Sequence, residues 1–68
     1  MTLDARGLRC PWPALRLARA LRNGGQGECF EVLADDPNAE REMRAVAEAA
    51  GRTLAKLGED RFEVAAAA

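Results

Sequence analysis

Residues 28–37 read ECFEVLADDP, and the alternation within them decides the fold. Over residues 28–34, Phe30, Val32 and Ala34 fall on one side, with Cys29, Glu31 and Leu33 on the other. This is the period-two pattern of a strand with one face turned to a core. Asp36-Pro37 then offers a helix start, with aspartate as N-cap and proline at the first helical position, where its missing N–H costs nothing. Ala39, Met43, Val46, Ala47 and Ala50 line one face of the helix that follows. Glu40 and Arg44 stand at the i, i+4 spacing of an ion pair, and Gly51 suits the C-terminal cap.

Outward from this strand and helix, the same reasoning predicts a helix over residues 11–22. Ala14, Leu17, Ala18 and Leu21 recur at i, i+3, i+4, i+7, Leu15 widens the stripe, and Gly24-Gly25 stops the helix after Arg22 or Asn23. Residues 2–5 alternate as a short first strand that Gly7 turns. Residues 52–57 and 61–64 read as two more strands joined at Gly58-Glu59-Asp60, a hairpin spacing, although Leu54, Ala55 and Leu57 do not alternate cleanly. The order is βαβαββ. A strand-helix-strand start implies a parallel pair joined by a right-handed crossover, and the closing hairpin adds an antiparallel pair, so the sheet is mixed. Each helix carries one apolar stripe, which places both on one face of a four-stranded sheet in an α/β two-layer sandwich forming one domain over residues 1–68.

A chain of 68 residues buries only about 60% of the surface its unfolded form exposes, leaving little room for an enclosed pocket. Its chemistry is therefore expected on the surface or on a loop, as in a carrier or binding module. Ten basic and eleven acidic residues give a formal charge of -1, so no global field draws the protein to nucleic acid or an anionic membrane. Thr2, Leu3 and Asp4 do not open a signal peptide, and no stretch is long and apolar enough to span a bilayer. A cytoplasmic monomer is expected, with no nucleic-acid or membrane partner. Two cysteines separated by eighteen residues, without histidine, form neither a CxxC redox pair nor a zinc-ligand spacing, so no metal is expected. The sequence leaves a Cys10–Cys29 bridge open, but a cytosolic compartment would keep both thiols free.

The rare residues cluster in residues 9–14, RCPWPA. If the helix begins at Pro11, Cys10 is its N-cap, where the helix dipole, Arg6 and Arg9 favour a thiolate and lower the thiol pKa. Pro11 and Pro13 stiffen the entry turn, although each also biases the residue before it away from the α region. A cysteine near a helix start is also often a small, inert packing residue, and from the residues alone both readings of Cys10 stand. Cys29, in mid-strand, reads as structural. Trp12 reads as core or as an exposed anchor for a protein, with its proline setting favouring the anchor. Arg16, Arg19 and Arg22 form either a solvated helix face or a surface that steers an acidic partner toward Cys10. RNA binding finds little support, since Trp12 would be its only aromatic platform.

The ordered set Asp4, Arg6, Gly7, Leu8, Cys10, Pro11, Trp12 and Pro13, followed by Asp36-Pro37 and Gly51, resembles the TusA/SirA family of small bacterial sulfur-transfer proteins, whose hallmark is a CPxP motif. The resemblance covers nearly the whole chain. It implies a βαβαββ two-layer sandwich in which Cys10 carries sulfur as a persulfide, with Arg6, Gly7, Arg9, Pro11 and Pro13 supporting the motif. It also implies a protein donor, such as a cysteine desulfurase or a rhodanese-like protein, and an acceptor protein with its own reactive cysteine. Thiol exchange at Cys10 needs no cofactor. The pathways it brings into view are tRNA thiolation, molybdenum-cofactor formation, sulfur oxidation and thiosulfate use. Trp12, Arg16 and Arg19 are the expected partner contacts. Glu42, Met43 and Arg44 stand where many members have an acidic-Ile-Pro trio, and the chain ends in alanines rather than a basic tail, departures that bear on partner identity. Two rival readings are an interaction module with a structural Cys10 and a redox pair of Cys10 with Cys29.

Overall fold

The computed structural model describes residues 1–24 and 27–67, so the Gly25 half of the expected Gly24-Gly25 stop lies outside the described residues. The elements are β1 (Thr2–Asp4), α1 (Trp12–Asn23), β2 (Phe30–Leu33), α2 (Ala39–Ala49), β3 (Leu54–Lys56) and β4 (Arg61–Val64), the predicted order. The four strands form one sheet in the order β1-β2-β4-β3. β1 runs parallel to β2 with Leu3 opposite Val32. β4 pairs antiparallel with β2, Val32 opposite Phe62, and with β3, Leu54 opposite Val64. The mixed sheet is as the sequence implied.

Among the described residues, only one face of the sheet is covered. Phe30, Val32 and Ala34 are buried, whereas Glu31 and Leu33 on the other face are not, and β4 alternates the same way through Phe62 and Val64. Leu17 from α1 and Met43 and Ala47 from α2 close over that face with no exposed surface. Fully burying side chains of this size stabilises by about 1.5–3 kcal/mol each relative to leaving them exposed. Leu15 departs from the expected stripe: at 50% exposed it lies on the flank of α1 away from the core.

Several boundaries differ from the sequence reading for local reasons. β2 covers residues 30–33 rather than 28–34, and Cys29 lies before it, exposed, so it is not a mid-strand packing residue. β3 is limited to residues 54–56, and Arg52 before it is buried. Arg52 Nη1 donates to the carbonyl oxygen of Glu28 at 2.8 Å, and the guanidinium lies 5.5 Å from the centre of the Phe30 ring. The N-cap of α2 is Asn38 rather than Asp36. Asp36 Oδ1 instead accepts the Asn38 N–H at 2.8 Å and its carbonyl accepts the Ala39 N–H at 3.0 Å, a turn that delays the helix to Ala39. The predicted Glu40–Arg44 pair forms at 2.9 Å. Gly51 takes a φ of +74°, the left-handed conformation that ends helices and suits glycine. No helix among the described residues is long and apolar enough to cross a membrane.

Candidate functional site

β1 and β2 are parallel, so the chain leaves both at the same end of the sheet, and crevices beyond the carboxyl ends of strands are where open α/β sheets hold their sites. Two loops meet there. The Ala5 N–H donates to the Leu33 carbonyl at 2.7 Å, and the chain then turns at Gly7, whose φ of +83° is open to glycine at little cost. The Gly7 N–H donates to Asp35 Oδ1 at 2.9 Å, and the Cys10 N–H to Asp36 Oδ2 at 3.2 Å. The two aspartates after β2 thus pin the loop after β1 by its backbone. Asp36 serves both sides of the site, since its other oxygen holds the turn into α2.

Helix α1 begins at Trp12 with Pro11 as N-cap, so Cys10 precedes the helix and is not its cap. The Trp12 N–H donates to the Arg9 carbonyl at 2.8 Å, closing a turn over residues 9–12 that the regular helix then follows. The Cys10–Pro11 peptide bond is cis. Pro13 is buried in the first turn, while Pro11, Trp12, Cys10 and Arg9 are exposed, so the thiol stands on a corner anchored beneath by Pro13.

The electrostatics of this corner reverse the expectation. Cys10 Sγ donates to Glu42 Oε2 at 2.6 Å, and this bond, local desolvation and the charges of Glu42 and Asp36 push the thiol pKa above its ordinary value of 9.0. Arg41 opposes the shift. Arg6 is held elsewhere, its guanidinium forked onto Asp4 at 3.0 and 2.9 Å, which draws the Asp4 carboxyl down to about 2. The expected thiolate-promoting role of Arg6 and Arg9 is therefore replaced by carboxylates that favour the thiol. Glu42 Oε1 is buried with no hydrogen-bond partner among the described residues.

The remaining expected residues lie on α1. Trp12 is 60% exposed, and with Leu3, Leu15, Arg16 and Arg19 it lines a shallow groove between α1 and the outer edge of β1, a groove that Cys10 does not line. Cys10 itself lies against the carboxylates of Asp36 and Glu42. Cys29 and Cys10 are both free. Cys29 precedes β2 whereas the Cys10 loop is pinned beyond its far end. At about 3.3 Å per residue, that four-residue strand alone separates the two by about 13 Å. Disulfides need Cα atoms within roughly 7 Å, so the geometry gives no support to a redox pair. Asp35, Asp36, Arg41 and Glu42 were not expected at the site. Of these, Asp36 carried a signal through the Asp-Pro pair of the family resemblance and Glu42 through its place in the acidic position of the family trio.

Residues 1–65 match the sulfurtransferase TusA family. Among solved structures, the crystal structure of a SirA-like protein from Desulfitobacterium hafniense is similar, with 28% sequence identity and a TM-score of 0.83 over 98% of this chain and 97% of that one. A fold shared end to end and a family match that takes in the pinned cysteine corner lead to one assignment: the chain belongs to the TusA family of sulfurtransferases.

Proposed function

We propose that this protein is a sulfur carrier in which Cys10 accepts a sulfane sulfur from a donor protein as a persulfide and hands it to an acceptor protein. The observation that carries this reading is an exposed thiol held on a rigid corner at the carboxyl ends of the parallel strands, in a chain of sulfurtransferase family. In loading, Cys10 Sγ attacks the donor's outer sulfur. A new S–S bond forms, the donor's S–S bond breaks, and the donor cysteine leaves as thiolate. In discharge the acceptor thiolate attacks the outer sulfur of Cys10-S-SH and Cys10 leaves. Neither step changes the total oxidation state, so neither needs a cofactor. The two free thiols fit a reducing compartment, and the carrier is read as a cytoplasmic monomer.

The donor and acceptor, a cysteine desulfurase or rhodanese-like protein on one side and a protein with a reactive cysteine on the other, are proposed to dock over the groove of Trp12, Arg16 and Arg19 with an acidic, partly apolar surface. Complementary charge there steers the encounter toward Cys10. The same exchange serves tRNA thiolation, molybdenum-cofactor formation, sulfur oxidation or thiosulfate use. Intact-mass analysis after incubation with a sulfane donor tests the reading: wild type gains a reductant-labile sulfur mapped to Cys10. Equal gain by Cys10→Ser, or no gain by wild type, sinks it.

A further inference from the structure

The site holds a carboxylate whose placement sulfur exchange alone does not require. Glu42 sits in the first turn of α2, and its Oε2 accepts the Cys10 S–H while its Oε1 is buried with no hydrogen-bond partner among the described residues. Among the described residues it makes no ion pair, and the Asp36 carboxylate beside it is occupied by backbone N–H groups of Cys10 and Asn38. Arg41 is the neighbouring cation that counters the two charges, and it is exposed. A buried acceptor left unpaired forfeits the hydrogen bonds that water would give it. The carboxylate is thus an incompletely satisfied anion held against the reacting atom, on a different helix from Arg16 and Arg19.

We infer that Glu42 is a specificity-determining residue of sulfur loading: its carboxylate claims the Cys10 thiol in the free protein and yields it to a donor that brings a cationic group to this corner. The inference rests on the carrier reading above and deepens it. A thiol is a poor nucleophile, and a carboxylate beside it both holds the proton and repels an anionic reagent. An arriving cation pairs with Glu42, weakens its hold on the S–H proton, and lets the proton leave to solvent as Sγ attacks. A suitable donor therefore carries two charges in register: an acidic surface for Arg16 and Arg19, and a cation beside its own persulfide for Glu42. Small anionic electrophiles and oxidants meet a quiet thiol.

The test uses the full chain with Cys29→Ser, so that only Cys10 reacts, and three methanethiosulfonates whose substituent is trimethylammonium-ethyl, methyl or sulfonato-ethyl. In each, the Cys10 thiolate attacks the sulfenyl sulfur, a mixed disulfide forms and methanesulfinate leaves, with no added oxidant. Relative to an unstructured cysteine peptide, the cationic reagent is expected to outrun the anionic one by about tenfold further, the scale of electrostatic focusing. Glu42→Gln should remove most of that preference and lower the midpoint of the rate against pH. Glu42→Asp, which retains charge but shortens the reach, should retain the preference; this keeps the test decisive if the Gln variant folds poorly by circular dichroism. An equal preference in wild type and Glu42→Gln, or an unmoved pH midpoint, overturns the inference. Absence of sulfur on wild-type Cys10 in the mass experiment instead defeats the carrier reading, and the two failures are distinguishable.

Discussion

The thiol of Cys10 donates to Oε2 of Glu42 across 2.6 Å, joining two residues 32 apart in sequence and tying the loop after β1 to helix α2. Because the bond requires the protonated thiol, the native pKa lies above the unfolded value of 9.0. A group raised on folding stabilises fully below its unfolded pKa and loses that contribution as pH rises through the native one. The advantage of wild type over Cys10→Ser in urea denaturation is therefore expected to be constant from neutral pH to about 9 and to shrink above it. An advantage that grows with alkalinity contradicts the bond.

Asp4 carries the opposite dependence. Its carboxylate is drawn from 3.8 to about 2 by Arg6, so its contribution is present above 3.8 and is lost as pH falls through the native value. Asp4→Asn should lower the denaturation midpoint at pH 6, with the difference from wild type closing between about pH 4 and pH 2. Both side chains are exposed, so the effect is small and sensitive to salt. A difference that persists undiminished at pH 2 rules out the ion pair as its source.

Arg52 is a structural cation rather than a site residue. Its guanidinium stacks near Phe30 and donates to the Glu28 carbonyl, fastening the start of β3 to the entry of β2. Arg52→Met keeps most of the stem but orphans that carbonyl, and is expected to cost about 2–3 kcal/mol in urea denaturation. A loss below about 0.5 kcal/mol, the range of ordinary surface changes, would show that the buried cation holds nothing together.

Trp12, at 60% exposed, gives little to the core. Trp12→Ala should leave the thermal midpoint within a few degrees of wild type, since about 1 kcal/mol moves it by roughly 4–8 °C in a domain of this size. Loading of Cys10 from a protein donor should slow, while loading from a small persulfide should not change. An equal slowing with both donors would place Trp12 in shaping the thiol corner instead of meeting a partner.

The elements were legible because each is amphipathic on its own. Phe30, Val32 and Ala34 announce β2, and Leu17 and Met43 announce the inner faces of the helices, without knowledge of their neighbours. Cys10 was legible for a similar reason, since its prolines and the turn at Gly7 are local. The state of its thiol was not, because charge acts through space. Arg6 and Arg9 are close in sequence, yet Arg6 forks onto Asp4, and the group that meets the sulfur arrives from α2. Helix starts failed similarly: Asp36 looked like a cap, but its oxygens are divided between Asn38 and Cys10. A carboxylate shared across the tertiary contact cannot be assigned from its own neighbours.

The relay itself is the central claim, and single-turnover transfer of labelled sulfane sulfur measures it most directly. Protein loaded from a labelled persulfide donor, freed of excess reagent and mixed with an acceptor thiol, should pass its label to the acceptor, with the label residing on the Cys10 peptide beforehand and Cys10→Ser carrying none. Label that loads equally onto Cys10→Ser, or that stays on Cys10 when the acceptor thiol is added, would contradict a carrier working through this corner.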